Sequence, residues 1–259
     1  MSIQVIDRAF QLIGLIAGQR EASVANLSRQ ARLPISTAAR IIGSLTSHGV
    51  LERTPGRRYR LGGRLFILAS QVEPTRNRVE TARSVMLELS RETGEDVGFA
   101  ILQDREALIV DWVYGNHPIK VIEPFTSTVT LNCAFRKALL AYKNDAWVDR
   151  YIEETEFPAY TPDTITDAAA IRSELKKVRA EGIAISRGEN IMDAGSVAAP
   201  VFDHNGELAG TIFVTAPLSR FDGDNLPGLI ETIVSSANSL TCKFRPQKPE
   251  SSCLTSDNF

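Results

Sequence analysis

LPISTAARIIGSLTSHGVLERTPGRRYRLG, residues 33–62, spells out a helix, its stop signal and a hairpin in succession. Pro34 fits the start of a helix, where its missing N–H costs no hydrogen bond. From there Ala38, Ile41, Ile42 and Leu45 recur at intervals of three and four, which puts them on one face, and Gly49 supplies the terminus. An apolar stripe of that kind faces a core, so Ser36, Thr37, Arg40 and Ser44 project together from the other side. Two short β-prone runs then flank the turn signal Thr54-Pro55-Gly56, with Arg57, Arg58 and Arg60 at or beside the turn.

Upstream, Val5, Ile6, Ala9, Leu12, Ile13 and Ile16 share one face of an amphipathic helix ending at Gly18. Ser23 is placed to cap a short second helix bearing Val24, Leu27 and Ala31, which Leu33-Pro34 stops. Three helices and a hairpin predict a winged helix-turn-helix domain over residues 1–64. Residues 62–71 read as a linker helix, and Pro74 interrupts the pattern before an amphipathic helix that starts near Val79. A linker helix and hinge are therefore expected over 65–78.

From 79 to 243 the pattern alternates. VGFAIL (97–102), ALIVDWVY (107–114) and IKVIEPF (119–125) are rich in β-formers, helices are expected near 133–142 and 167–182, and strands return at GIAIS, SVAAPVFD and LAGTIFVT. The Asn205-Gly206 pair makes the last two strands an antiparallel hairpin, which argues against a doubly wound nucleotide-binding sheet. A helix over 224–242 closes the domain, and the polar tail 244–259 reads as disordered. The fold class is α+β.

Composition is that of a soluble protein, 43% hydrophobic and 23% charged, with no apolar run long enough to span a bilayer. Asp7, Arg8 and Gln11 interrupt the apolar N-terminus, so it reads as a surface helix and not as a signal peptide. Cys133, Cys242 and Cys253 are odd in number and far apart, which points to a reducing cytoplasm and to no disulfide framework. The net charge of −2 conceals a division: residues 1–70 hold ten arginines, no lysine and three acids, for +7, which leaves −9 on the remainder. A basic head fits a polyanionic partner, because each phosphate contact releases counterions.

The polar ridge suits double-stranded DNA. Ser and Thr near a helix N-terminus bind phosphate or base edges, and Arg40 has the geometry for a bidentate contact to guanine in the major groove. Arg57, Arg58 and Arg60 would reach phosphates or the adjacent minor groove, and Ser23, at the start of the second helix, joins the DNA-facing set. A winged helix used only for protein contacts is the alternative, and salt-sensitive DNA affinity separates the two. An enzyme is not expected: Cys133, His117 and His204 are not spaced to act together, and no phosphate-loop, dinucleotide, zinc-protease or serine-hydrolase motif occurs, so no cofactor or metal is expected either.

ASVANLSRQARLPISTAARIIGSLTSHGVLER, the wing GRRYRLG, LASQV, YTPDTITDAAAIRSELKKVRAEGIAIS and SVAAPVFDHNGELAGTIFVTAP together resemble the IclR family of bacterial transcriptional regulators along nearly the whole chain. The resemblance implies a GAF-like, antiparallel-sheet effector-binding domain at residues 79–243, and homodimers or tetramers on palindromic operators. The expected role is a repressor of a catabolic operon modulated by a small carboxylate or aromatic effector, with an activator as the alternative. It also implies a pocket between LNCAFRKALLA and SRGENIMDAGSVAAPV, offering Asn132, Cys133, Ser186, Glu189 and Ser196 to a ligand. Many relatives have a histidine-containing run ending in Gly-Lys before ALLA; here Leu131, Asn132, Cys133 and Arg136 stand there, with Lys137 retained. Ser186 and Ser196 replace the Asp and Cys that many relatives carry.

Overall fold

The computed structural model describes residues 3–69, 71, 73–121, 133–223 and 225–244, which divide into two compact units on either side of Asn77 and Arg78. In the first, helices α1 (Gln4–Ala17), α2 (Val24–Gln30) and α3 (Ile35–Ser47) surround a small core of Leu12, Ile16, Leu27, Ile42 and Leu51. Strands β2 (Leu51–Thr54) and β3 (Arg58–Leu61) form the wing hairpin. The two-residue β1 (Ala22–Ser23), which the sequence pattern does not reveal, adds a third strand on β3. Helix α4 (Gly63–Ala69) follows.

The expected inward stripe of α1 needs correction. Leu12 and Ile16 are buried, but Val5 and Ile6 are 56% and 48% exposed, and Ile3 and Phe10 are exposed beside them. A core this small is covered by the last two turns of α1, so the first turns extend past it.

The long helix α5 (Glu73–Thr93) also differs from expectation. It begins at Glu73 and not near Val79, because Pro74 falls in its first turn, where proline removes no intrahelical bond. In the second unit β4 (Asp96–Gln103), β5 (Glu106–Val113), β6 (Ala184–Arg187), β7 (Ala194–Phe202) and β8 (Leu208–Pro217) form one antiparallel sheet in the order β5-β4-β8-β7-β6. The Asn205-Gly206 hairpin joins β7 to β8 as expected. Of the expected strand IKVIEPF, 119–121 are irregular and 122–125 lie outside the described residues, as does the tail beyond 244.

Both faces of the sheet are covered, which is why β7 and β8 are buried nearly end to end. Alternate residues Val197, Ala199, Ile212 and Val214 pack under α5 and α10 (Asn225–Lys243), together with the short α9 (Leu218–Phe221). Ala184, Ala198 and Phe213 face α6 (Ala134–Leu140), α7 (Asp145–Glu154) and α8 (Ala168–Glu181). Helix α6 is anchored by Phe135, whose ring stacks on Phe213 at 4.6 Å, and Trp112 meets Phe213 edge-on. Gly98 makes room for that ring: a Cβ there would lie 2.2 Å from the Phe213 side chain. Among the described residues no helix is long and apolar enough to cross a membrane.

Candidate functional site

The ridge on α3 is present as read. Ser36, Arg40 and Ser44 are exposed and Thr37 is half-buried, while Ala38, Ile41 and Ile42 are buried behind them. No side chain caps the N-terminus of α3, which starts after Pro34, so the amides of its first turn are open to an anion beside Ser36 and Thr37. Ser23 accepts a hydrogen bond from the Asn26 amide, and so serves first as the cap of α2.

The wing arginines are not equivalent. Arg58 pairs with Glu21 at 3.0 Å, and Arg60 with Glu52 at 3.1 Å. Glu52 also accepts from the Gly63 amide, and these contacts, the Arg60 hydrogen bond foremost, hold its carboxyl below the usual carboxylate range. Pairs this exposed are screened by water and salt, so a phosphate competes with them at little cost. Arg57 and Arg40 take part in no ion pair among the described residues. Arg57 sits at the turn with φ of 60°, in the left-handed region that favours glycine.

In the second unit the strand register gathers a row of polar groups. Ser186 lies opposite Ser196, Ser196 opposite Thr215, and Thr215 opposite Asp96, so four side chains from β6, β7, β8 and β4 line up on the face that carries α6. All four are buried. The Ser196 hydroxyl accepts from the Ala134 amide, which ties the start of α6 to the row, and Cys133 is the buried residue immediately before that helix. Asp96 Oδ1 accepts from the Gly115 amide at 2.7 Å and lies 3.5 Å from Lys120 Nζ. Asp96 Oδ2 and Thr215 Oγ1 are buried with no hydrogen-bond partner among the described residues.

The structure thus brings Ser186 and Ser196 together and puts Cys133 beside them, whereas Asn132 lies outside the described residues. Glu189 belongs to a neighbouring cluster. Lys137, 1% exposed, donates to Glu189 at 2.6 Å, to Glu174 at 3.0 Å and to the Ile185 carbonyl. Burial raises the Glu189 carboxyl above its ordinary value, and the Lys137 charge opposes that rise. The TPDTITD run explains itself here: Thr161 donates to the Gly188 carbonyl, Thr164 donates to that of Glu189, and Asp167 caps α8. Asp96 and Thr215 escaped sequence reading because they join the row only through strand register; alternation along DVGFAIL and TIFVTAP was the available signal.

With this geometry in place, comparison with known proteins is direct. The model of the IclR helix-turn-helix domain matches residues 5–55, and that of the bacterial transcriptional regulator IclR C-terminal domain matches residues 74–242. The chain is 27% identical to the HTH-type transcriptional regulator BhcR of Paracoccus denitrificans over 248 residues, covering 95% of this chain and 89% of that protein. It is 25% identical to the transcriptional repressor IclR of Escherichia coli, covering 93% and 90%. Among solved structures, an IclR homologue from Microbacterium hydrocarbonoxydans in complex with 4-hydroxybenzoate has the same fold, with a TM-score of 0.78 at 20% identity over 93% of this chain and 98% of that one.

Proposed function

The chain belongs to the IclR family of bacterial transcriptional regulators and is a DNA-binding regulator, and from that premise we propose that it represses a catabolic operon from the cytoplasm, with its grip on a palindromic operator set by a small organic effector, a carboxylate or an aromatic compound. The exposed ridge of Ser36, Thr37, Arg40 and Ser44 on α3, at an uncapped helix N-terminus, carries the DNA-reading part. The E. coli relative is named a repressor and the Microbacterium homologue holds an aromatic acid, which support the sign and the effector class. Residues 1–64 are the DNA-binding domain, 65–78 the linker helix and hinge, and 79–243 the effector-binding domain. Ile3, just before α1, Phe10 on α1, and Phe66 and Ile67 on α4 are exposed, which supports association of chains as homodimers or tetramers.

Helix α3 enters the major groove and the wing follows the backbone, with Ser23, Arg57, Arg58 and Arg60 on phosphates. Arg57 tests that assignment in a way stability cannot confuse. Because Arg57 occupies a left-handed backbone position, Arg57→Gly relieves strain while removing the charge. The variant is expected to unfold at an unchanged or higher temperature, yet to bind operator more weakly, with the slope of log K against log salt reduced by about 1 per chain. Unchanged salt dependence would remove Arg57 from the interface.

The effector binds against the row containing Ser186 and Ser196, near Cys133, with Glu189 at its margin; the sequence adds Asn132 to this set, outside the described residues. Ser196→Leu adds apolar bulk to the row and removes the acceptor of the Ala134 amide. Operator binding is expected to survive while the shift caused by effector, about 1–3 kcal/mol in systems of this kind, is largely lost. A thermal-shift screen of small carboxylic and aromatic acids, 4-hydroxybenzoate among them, finds the effector, since a ligand at 100 times its Kd adds about 2.7 kcal/mol to stability. A wild-type effector response in Ser196→Leu would move the site elsewhere.

A further inference from the structure

We infer that the ligand of the buried row presents a hydrogen-bond donor, a hydroxyl or an amino group, to Asp96, and that Asp96 and Thr215 select for it. The inference rests on the row being the effector site and adds the chemistry of one end of that ligand. Asp96 is 4% exposed and Thr215 2%, so neither side chain is satisfied by bulk water. Asp96 uses Oδ1 twice, for the Gly115 amide and the Lys120 ammonium, but Oδ2 has no donor among the described residues, and neither does the hydroxyl beside it on Thr215. A buried carboxylate oxygen without a donor is costly, and the two unsatisfied groups are cross-strand neighbours on one face. A carboxylate oxygen only accepts, whereas a threonine hydroxyl both donates and accepts. A ligand hydroxyl or amino group donates to Asp96 Oδ2, and a hydroxyl can also take a bond from Thr215; a ligand carboxylate or ketone placed against Oδ2 would meet acceptor against acceptor. Any acidic group on the effector therefore lies toward the Ser186 and Ser196 end.

Asparagine at position 96 inverts this preference. Asp96→Asn can keep an oxygen toward the Gly115 amide while placing an amide N–H₂ where Oδ2 stood, so the site now donates. The test is calorimetric titration of the full chain and of Asp96→Asn with matched probes that differ in one group: lactate, pyruvate and propionate, and 3-hydroxybenzoate, 3-formylbenzoate and benzoate. Sites built to bond a substrate hydroxyl reject the analogue lacking it by large factors. Wild type is expected to bind the hydroxylated member of at least one series tenfold or more tighter than its partners, and Asp96→Asn to favour the carbonyl member instead. Equal binding of all members in both series, or the same ranking in both proteins, overturns the inference while leaving the effector site standing. If no probe binds wild type while operator binding is intact, the small-molecule reading itself falls, and this inference with it. Should Asp96→Asn not fold, Thr215→Val, nearly the same shape without the hydroxyl, is expected to weaken the hydroxylated probe about tenfold and its unhydroxylated partner hardly at all; equal effects on both overturn the inference.

Discussion

Arg40→Ala is expected to lower operator affinity by about 1–3 kcal/mol per half-site, the range for a bidentate arginine contact to a base. On a palindrome occupied by two chains the loss doubles to about 2–6 kcal/mol, since the half-sites are well separated and their effects add. Arg40 is exposed on the middle of α3 and joins no ion pair among the described residues, so its removal leaves no buried group stranded, and the free energy of unfolding should stay within about 0.5 kcal/mol of wild type. Discrimination between operator and unrelated DNA should collapse, because the phosphate contacts that remain bind any sequence. Loss of affinity that is equal on operator and random DNA would make Arg40 a phosphate contact and not a reader of bases.

Lys137→Met should produce the largest change in stability. Its ammonium is buried between Glu189 and Glu174, with the Ile185 carbonyl as third partner. Methionine fills much of the volume but leaves two carboxylates facing each other without a counter-charge, and breaking a buried pair in this way costs about 3–5 kcal/mol. The pH dependence follows from Glu189, whose carboxyl burial raises above its ordinary value against the pull of Lys137. Between the ordinary and the raised value the folded chain holds more protons than the unfolded one, so stability falls as pH climbs through that window. Without Lys137 the folded value rises further and the window widens upward. Urea denaturation should therefore show a larger deficit for Lys137→Met at pH 8 than at pH 5. A deficit independent of pH would mean that packing, not charge, is what Lys137 supplies.

These two positions illustrate what was legible in the sequence. The head was readable because helical period, Gly49 and Thr54-Pro55-Gly56 are local signals, and the ridge of α3 follows from its own apolar stripe. Local signals do not report which partners lie across space. Nothing near Arg58 announces Glu21, and nothing near Lys137 announces Glu174 and Glu189. The buried polar row was half legible: Ser186 and Ser196 came from resemblance to a family, but Thr215 and Asp96 enter through the register of β8 with β7 and β4, which side-chain alternation alone does not determine. Helix α7 was absent from the expectation even though Asn144 caps it ahead of Trp147, Val148, Tyr151 and Ile152 at helical spacing. The reach of α1 past its core depends on how small that core is, which no periodicity measures.

The proposed regulator is a basic head that reads DNA under control of a ligand-holding body. Its most direct test is a titration of the full chain on DNA from upstream of its own gene, between 50 and 200 mM salt, with and without an effector found by thermal shift. The predicted result is affinity that falls steeply and linearly in log salt, as several arginine–phosphate contacts require, with a constant vertical offset when effector is present. Binding that ignores salt, or DNA affinity no greater than that of an Arg40→Ala, Arg57→Gly double variant, would contradict it.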